Sequence, residues 1–275
     1  RVLRLAQRFD EALHYYELAA QLGNPTAYTG ISAFYRQGIG VTPDHKRAFE
    51  AARQGALLGS PAAQLMTGIF FREGWSVQQS YPEAMRWMEL AVRNGDANAL
   101  VAYGDFYRKG LGVEVDETRA VDYYRKAAVL GSSDAENLIG MAYMRGKGAP
   151  HDTDTGIAWL VRSSDAGNPY AAFQLGRAFQ DGWGVKKDLT TALAYFRLSA
   201  QRNYLGAQTY ANNTMARGAA LLRDTRDARD ERADAEARIA GLLAVMTPEQ
   251  RAEGERTAKA WIDQYGLLDF NLVSE

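Results

Sequence analysis

Hydrophobic and polar positions along most of this chain follow the period of an α-helix, and the whole pattern recurs every thirty-six residues. In residues 96–131, Ala99, Tyr103 and Tyr107 lie four residues apart, which places them on one stripe of an amphipathic helix. Asp116 precedes a second apolar stretch, and aspartate is a preferred N-cap residue. The pattern therefore predicts two successive helices in each repeat, a first helix and a second helix.

Glycines occupy two columns of equivalent positions in these repeats. The first column is Gly68, Gly104, Gly140 and Gly176, and the second is Gly38, Gly74, Gly110, Gly146 and Gly182. Glycine inside a helix costs about 1 kcal/mol relative to alanine, so the first column indicates a close approach between helices. The second column is expected to end each first helix, because glycine readily adopts positive φ at a helix C-terminus.

One such αα-hairpin cannot bury its own apolar stripes, whereas stacked neighbours can. The sequence therefore predicts an all-α fold, a right-handed α/α superhelical solenoid with a concave and a convex side.

The expected organisation has two parts, a repeat array over residues 1–217 and a C-terminal pair of helices over 218–275. The array comprises a half repeat at 9–23, units at about 24–59, 60–95, 96–131, 132–167 and 168–203, and the first helix of a seventh unit at 204–217. A shortened first helix is expected at or before residue 8. A long helix over 219–246 and a final helix are expected to cap the array, the latter starting with a capping box from Thr247 to Gln250.

The columns resemble the Sel1-like repeat family, a relative of the tetratricopeptide repeat. Residues 99–131 and 171–200 fit the family pattern best. Several positions depart from it. Ser32 replaces a packing glycine, Ala51 and Ala52 replace an aromatic pair, Ser76 and Ser80 weaken a turn, Gly156 occupies an alanine position, and Asn203 replaces a closing glycine. The resemblance implies a bacterial interaction scaffold whose first helices line the concave side. It favours the periplasm or cell envelope over the cytoplasm.

Composition excludes several function classes. A net charge of −1 disfavours nucleic-acid binding, and the absence of cysteine excludes disulfides and thiolate chemistry. No apolar stretch is long enough for a membrane span. The three histidines, His14, His45 and His151, lack metal-site spacing, and no catalytic motif or cofactor site is found. We therefore expect no enzyme activity.

The candidate binding residues are the first-helix positions that the packing columns leave free. This groove set comprises Arg36, Leu65, Ile69, Arg72, Val101, Asp105, Arg108, Asn137, Met141, Tyr170, Phe173 and Arg177. Apolar anchors flanked by arginine suit a protein or peptide partner. Two alternatives stay open: the apolar members pack between adjacent first helices, and the ladder of Arg36, Arg72 and Arg108 is exposed without a role.

The favoured function is a non-enzymatic scaffold that binds a protein or peptide in the concave groove. The alternative is an envelope scaffold that binds a carbohydrate through Trp75, Trp183, Tyr170 and Phe173. An enzyme, the third hypothesis, requires a cluster of titratable residues that the sequence does not reveal.

Overall fold

The computed structural model describes the backbone of residues 2–213 and 225–265, and the side chains of residues 9–202 and 232–265. These residues form helices joined by short turns, which confirms the predicted α/α solenoid class. The first helices are α2 (Pro25–Gln37), α4 (Pro61–Glu73), α6 (Ala97–Lys109), α8 (Ser133–Arg145) and α10 (Pro169–Asp181). The second helices are α1 (Val2–Gln21), α3 (His45–Leu57), α5 (Tyr81–Arg93), α7 (Glu117–Val129), α9 (Thr153–Asp165) and α11 (Leu189–Asn213). Two further helices follow, α12 (Thr225–Val245) and α13 (Pro248–Gln264).

The helices group into two compact units. The first contains Arg1–Asp116, and the second contains Glu117–Ala211 together with α12 and α13.

Side-chain caps and glycine turns fix the ends of the helices, as the sequence predicts. Asp44 and Asp152 each accept a hydrogen bond from a backbone N–H in the first turn of the second helix that follows. Gly38 and Gly146 end first helices with φ of 69° and 64°. At the second glycine position of the turns, Ser76 takes Gly's place and has φ of 58°, the one positive φ outside glycine among the described residues.

The packing glycines allow the two helices of a hairpin to approach closely. A Cβ placed on Gly68 would lie 3.0 Å from the carbonyl oxygen of Ala84, and one placed on Gly176 would lie 2.8 Å from the Phe196 ring. Gly140 is similar: a Cβ there would lie 3.0 Å from the carbonyl oxygen of Gly156. Gly156, which stands where other repeats have alanine, supplies the second half of this close contact.

The array differs from expectation at both ends. No separate first helix precedes residue 8, because α1 is continuous from Val2 to Gln21. At the other end α11 runs through residue 203 to Asn213, so no new first helix begins at 204. Asn203 stands where the other units have a closing glycine, and without that glycine the helix continues. The predicted segments 214–217 and 219–224 lie outside the described residues.

The last two helices cover apolar surface of the sixth repeat. In α12, Ile239, Leu242 and Met246 form a buried cluster with Phe196 of α11. In α13, Ile262 is buried with Leu198 of α11. The capping box that starts α13 is present, with Thr247 and Gln250 each bonded to the other's backbone N–H.

Candidate functional site

One of the predicted groove residues of the first unit, Leu65, is buried between neighbouring repeats. Leu65 is 1% exposed and belongs to a buried cluster with Ala99 and Phe106 of the next first helix. The packing alternative therefore holds for Leu65, and this residue is not available to a partner.

Five other predicted residues of the first unit lie at or near the surface of α4 and α6. Ile69, Val101, Asp105 and Arg72 are partly buried, and Arg108 is exposed. Two of these side chains form an ion pair, since Arg108 Nη2 lies 2.9 Å from Asp105 Oδ1. Arg72 Nε lies 2.6 Å from Glu73 Oε1. Surface pairs of this kind contribute about 0–1 kcal/mol, so a partner carboxylate could replace either acidic residue.

Arg36 does not continue the arginine ladder. Its guanidinium lies 5.8 Å from the centroid of the Trp75 ring, in the turn of the next repeat. Trp75 also contacts Phe70 edge-on and lies 5.7 Å from the ring of His45. Arg36 and Trp75 therefore join neighbouring repeats within the first unit.

In the second unit the groove set divides in the same way. Met141 is 8% exposed and clusters with Ala171 and Leu175, so it packs between repeats. Asn137, Tyr170 and Arg177 are partly buried. They remain candidates for contact with a partner.

Phe173 is covered by the chain's own α12. Its ring packs edge-on against Phe196 at 5.4 Å, and the guanidinium of Arg238 lies 6.0 Å from its centroid. Arg238 also donates a hydrogen bond of 2.8 Å to Gln180 Oε1. Phe173 occupies the position that is Leu65 in the third repeat, so α12 covers the sixth repeat as a following first helix covers the third.

The structure exposes another apolar surface, one that sequence reasoning missed. It lies on the second helices of the first unit and comprises Leu18, Leu22, Leu57, Leu58 and Leu90, which are 40%, 89%, 62%, 51% and 41% exposed. In the second unit Val129 and Leu130 are similarly exposed, at 85% and 53%. The signal was present in the sequence, because Leu22, Leu58 and Leu130 recur at the repeat spacing beside the closing glycine.

Titratable groups in the described part of the chain do not gather into a reactive site. His14, His45 and His151 are exposed, and no group of three or more metal-ligating side chains occurs among these residues. Burial, with the nearby Asp165 and Tyr265, raises the pKa of Tyr195 to about 12, which keeps the phenol protonated at neutral pH. Hydrogen bonds from the Thr155 hydroxyl and backbone lower the pKa of Asp152, and these belong to a helix cap. No described helix has the length and hydropathy of a membrane span.

Three solved bacterial structures share this fold. A Sel1 repeat protein from Oxalobacter formigenes is 24% identical, with a TM-score of 0.62 over 84% of this chain and 98% of that one. A protective antigen with an SLR fold from uropathogenic Escherichia coli is 22% identical, with a TM-score of 0.59 over 92% of this chain and 56% of that one. An immunity protein from Pseudomonas aeruginosa is 17% identical, with a TM-score of 0.53 over 78% of this chain and 81% of that one. A search of curated proteins gave no match.

The repeat assignment rests on a direct match to a family model. The Sel1 repeat model matches six consecutive segments, at residues 9–24, 25–60, 61–96, 97–132, 133–168 and 169–204. The match begins with a half repeat and keeps the thirty-six-residue step without an insertion, as the columns of glycine and alanine require. The chain therefore belongs to the Sel1 repeat family.

Proposed function

We propose that this chain is a non-catalytic scaffold that binds a protein or peptide partner along the accessible first-helix face of α4 and α6. Sel1 repeat proteins generally mediate protein–protein interactions. The observation that carries the proposal is the pairing of Ile69 and Val101, two partly exposed aliphatic side chains, with the charged groups of Arg72 and Arg108 on consecutive first helices. Apolar contact surrounded by charged groups is typical of binding surfaces for protein segments.

The arginines favour a partner segment that carries carboxylates. The Asp105 carboxylate is shared between Arg108 and Lys109, with Lys109 Nζ 3.0 Å from Asp105 Oδ2. Within this group of three side chains, two cations face one anion. An acidic side chain of the partner would be attracted to this position, and bidentate pairing with arginine is the favourable geometry.

The carbohydrate alternative receives no support from the positions of three of its four aromatic residues, Trp75, Trp183 and Phe173. Trp75 packs against Phe70 within the first unit. In the second unit Trp183 packs against a cluster that contains Leu160, and Phe173 packs against Phe196. These rings contribute to internal packing, so we propose the protein-binding function alone.

A bacterial source is supported by the origins of the three structural relatives, and an envelope location stays a prediction.

The test compares partner binding by the parent chain and a triple variant, Ile69→Ser, Val101→Ser and Arg108→Ala. A partner captured from a bacterial lysate is purified, and its Kd for each chain is measured by calorimetry. We expect at least about tenfold weaker binding to the variant, which corresponds to about 1.4 kcal/mol.

The matched control is Val115→Ser, because Val115 is an exposed apolar residue that lies outside the first-helix face. Both variants must retain the helical circular dichroism of the parent. Equal Kd values for the parent and the triple variant would refute this binding face.

A further inference from the structure

Two arginines of the second unit lie at the boundary between α10 and α12. Arg177 belongs to α10 and Arg238 to α12, and both side chains are partly buried. Their hydrogen bonds go to amides: Arg177 Nη1 donates to Gln174 Oε1 at 3.4 Å, and Arg238 Nη1 donates to Gln180 Oε1 at 2.8 Å. No carboxylate of the described residues forms an ion pair with either guanidinium group.

The position of Arg177 within its repeat explains why it faces α12. Met141 is the equivalent residue of α8, and it packs against Ala171 and Leu175 of α10, the following first helix. In the sixth repeat α12 takes the place of a following first helix, since it covers Phe173. Arg177 Nε is buried at this boundary and has no acceptor among the described residues. Most buried N–H groups are hydrogen-bonded, so an acceptor supplied here would stabilise the site.

Arg238 reaches the side of α10 from which Arg177 projects. Its guanidinium group lies 6.0 Å from the centroid of the Phe173 ring, and its Nη1 bonds to Gln180. Phe173, Arg177 and Gln180 follow one another at spacings of four and three residues, so they share one face of α10. The two contacts of Arg238 therefore lie on either side of Arg177 along that face, and we infer that both cations border one small region.

Two positive charges that border one partly buried region repel each other unless an anion lies between them. The carboxylates four residues away on the same helices, Asp181 and Asp234, are exposed and form no ion pair with these arginines in the described structure. The glutamine oxygens carry only partial charge, so they orient the guanidinium groups without neutralising them. Oriented guanidinium groups that still have unpaired donors suit a carboxylate, which arginine binds through two parallel hydrogen bonds.

We propose that Arg177 and Arg238 form a binding site for an acidic side chain of a protein partner. N–H donors of both guanidinium groups hold the carboxylate, and Gln174 and Gln180 keep those groups in position. Two cations suit one or two carboxylates, whereas nucleic acid requires a longer row of basic residues. The proposal rests on the scaffold function proposed above, and it adds to that function a site in the second unit.

The test uses a fluorescein-labelled, amidated hexaglutamate peptide, at an ionic strength of about 0.05 M so that surface charges are weakly screened. Fluorescence anisotropy gives its Kd for the full chain and for a double variant, Arg177→Gln with Arg238→Gln. The matched control is Arg53→Gln with Arg256→Gln, which removes the same charge from two exposed arginines elsewhere. We expect saturable binding to the parent and the control, and binding weaker by about tenfold or more to the double variant.

A second series separates this site from the first-helix face of α4 and α6. Every chain in that series also carries Arg108→Ala, so the cation of the first-helix face cannot account for the binding that remains. The difference between the double variant and its control should persist. Its disappearance would place the peptide on the first-helix face and overturn this proposal, while the scaffold function would stand. Conversely, failure of the partner-binding test described above leaves this peptide assay unaffected, because the peptide is supplied directly.

The single variant Arg177→Gln keeps the test decisive if loss of the bond from Arg238 to Gln180 disturbs α12. The hydrogen bond of Arg177 stays within α10, so this variant is expected to fold, and circular dichroism checks this. It should weaken peptide binding, though less than the double variant does. Absence of saturable binding to the parent at millimolar peptide, or equal Kd values for every chain, overturns the proposal. Tighter binding of hexathymidylate, lost in the same double variant, would show that the site takes nucleic-acid phosphates and overturns it too.

Discussion

At the scale of single residues, backbone conformation explains why glycine recurs where it does. The second glycine of the turns combines a left-handed backbone with close packing: Gly112 has φ of 70°, and a Cβ there would lie 2.6 Å from the Cβ of Tyr81. Ser76 keeps the left-handed conformation with a side chain present. His45 is the residue equivalent to Tyr81 in the preceding repeat, and it is exposed.

The substitution Ser76→Gly is expected to stabilise the chain. It removes a left-handed penalty of about 1–2 kcal/mol and adds an entropy cost of about 0.5–1 kcal/mol, so the expected net gain is up to about 1.5 kcal/mol. The free energy of unfolding from urea titration measures this gain. The opposite change, Gly112→Ser, should destabilise the chain, and a neutral result for both variants would contradict the strain argument.

The packing glycines should reverse the usual preference for alanine in helices. Gly140→Ala would bring a Cβ to 3.0 Å from the Gly156 carbonyl oxygen, so we expect a loss of about 1–3 kcal/mol despite the better helix propensity of alanine. Gly241→Ala in α12 is the matched control, since no atom lies within 4 Å of its added Cβ. That control should gain about 0.5–1 kcal/mol. Thermal and urea unfolding of both variants test the contrast.

The same scale shows where sequence reasoning reaches its limit. The glycine columns were predictable because each involves a backbone state or a close contact that glycine provides at the least cost. The burial of Leu65 was not predictable. An apolar residue at a position that varies between repeats is compatible both with a binding groove and with a contact between helices. The exposed Leu57 and Leu58 lie at the end of the second helix α3, outside the first-helix positions to which the predicted binding residues were confined.

At the scale of elements, caps set the boundaries and also make stability depend on pH. Asp152 accepts hydrogen bonds from the Thr155 hydroxyl at 2.6 Å and from its backbone N–H at 3.0 Å, and these lower the pKa of Asp152. A lowered folded-state pKa contributes stability above the unfolded value of about 3.9, and this contribution disappears as pH falls through the folded value.

The variant Asp152→Asn should keep the cap but lose this pH dependence, because asparagine is a good N-cap without a titrating group. We expect the parent to be the more stable at pH about 7, and the difference to shrink as pH falls below about 3.9. Urea midpoints across that range measure it. A constant difference between the two chains at every pH would refute the assignment.

The attachment of α13 is the second prediction at this scale. Its contacts with the array include the rings of Trp261 and Tyr195 at 4.7 Å and the hydrogen bond of 2.6 Å from the Tyr265 hydroxyl to Asp165. Trp261→Ala should loosen α13 and leave the repeats folded. Hydrogen exchange should then rise at least about tenfold in residues 248–264 and remain unchanged in α8 and α9. Uniform faster exchange across all helices would mean that α13 is inseparable from the array.

At the scale of the whole molecule, the fold class and repeat register followed from the sequence, because each repeat obeys the same local rules. The ends did not, since the pattern lapses there and no column constrains the chain. The continuation of α11 beyond residue 203 and the seats of α12 and α13 depend on contacts between distant segments. The start of α13 had a local signal in its capping box.

Nearly balanced charge also predicts how strongly salt affects the molecule. With 32 basic and 33 acidic residues, no long-range field dominates, and the expected partner contacts involve few ion pairs. Raising the ionic strength from about 0.05 M to 0.5 M should weaken partner binding less than about tenfold, because each ion pair at a surface contributes about 0–1 kcal/mol. A loss of several orders of magnitude would indicate a polyanionic partner instead.

Because α13 follows α11 in the chain, the cover that α13 provides for α11 is missing while the chain is being synthesised. Leu198 leaves the ribosome well before Ile262, the residue that buries it. At about 5–20 residues per second, translation takes roughly 3–13 s to bridge that interval. During this time the apolar side of α11 has no cover of its own, which makes it a natural site for a chaperone that holds nascent chains.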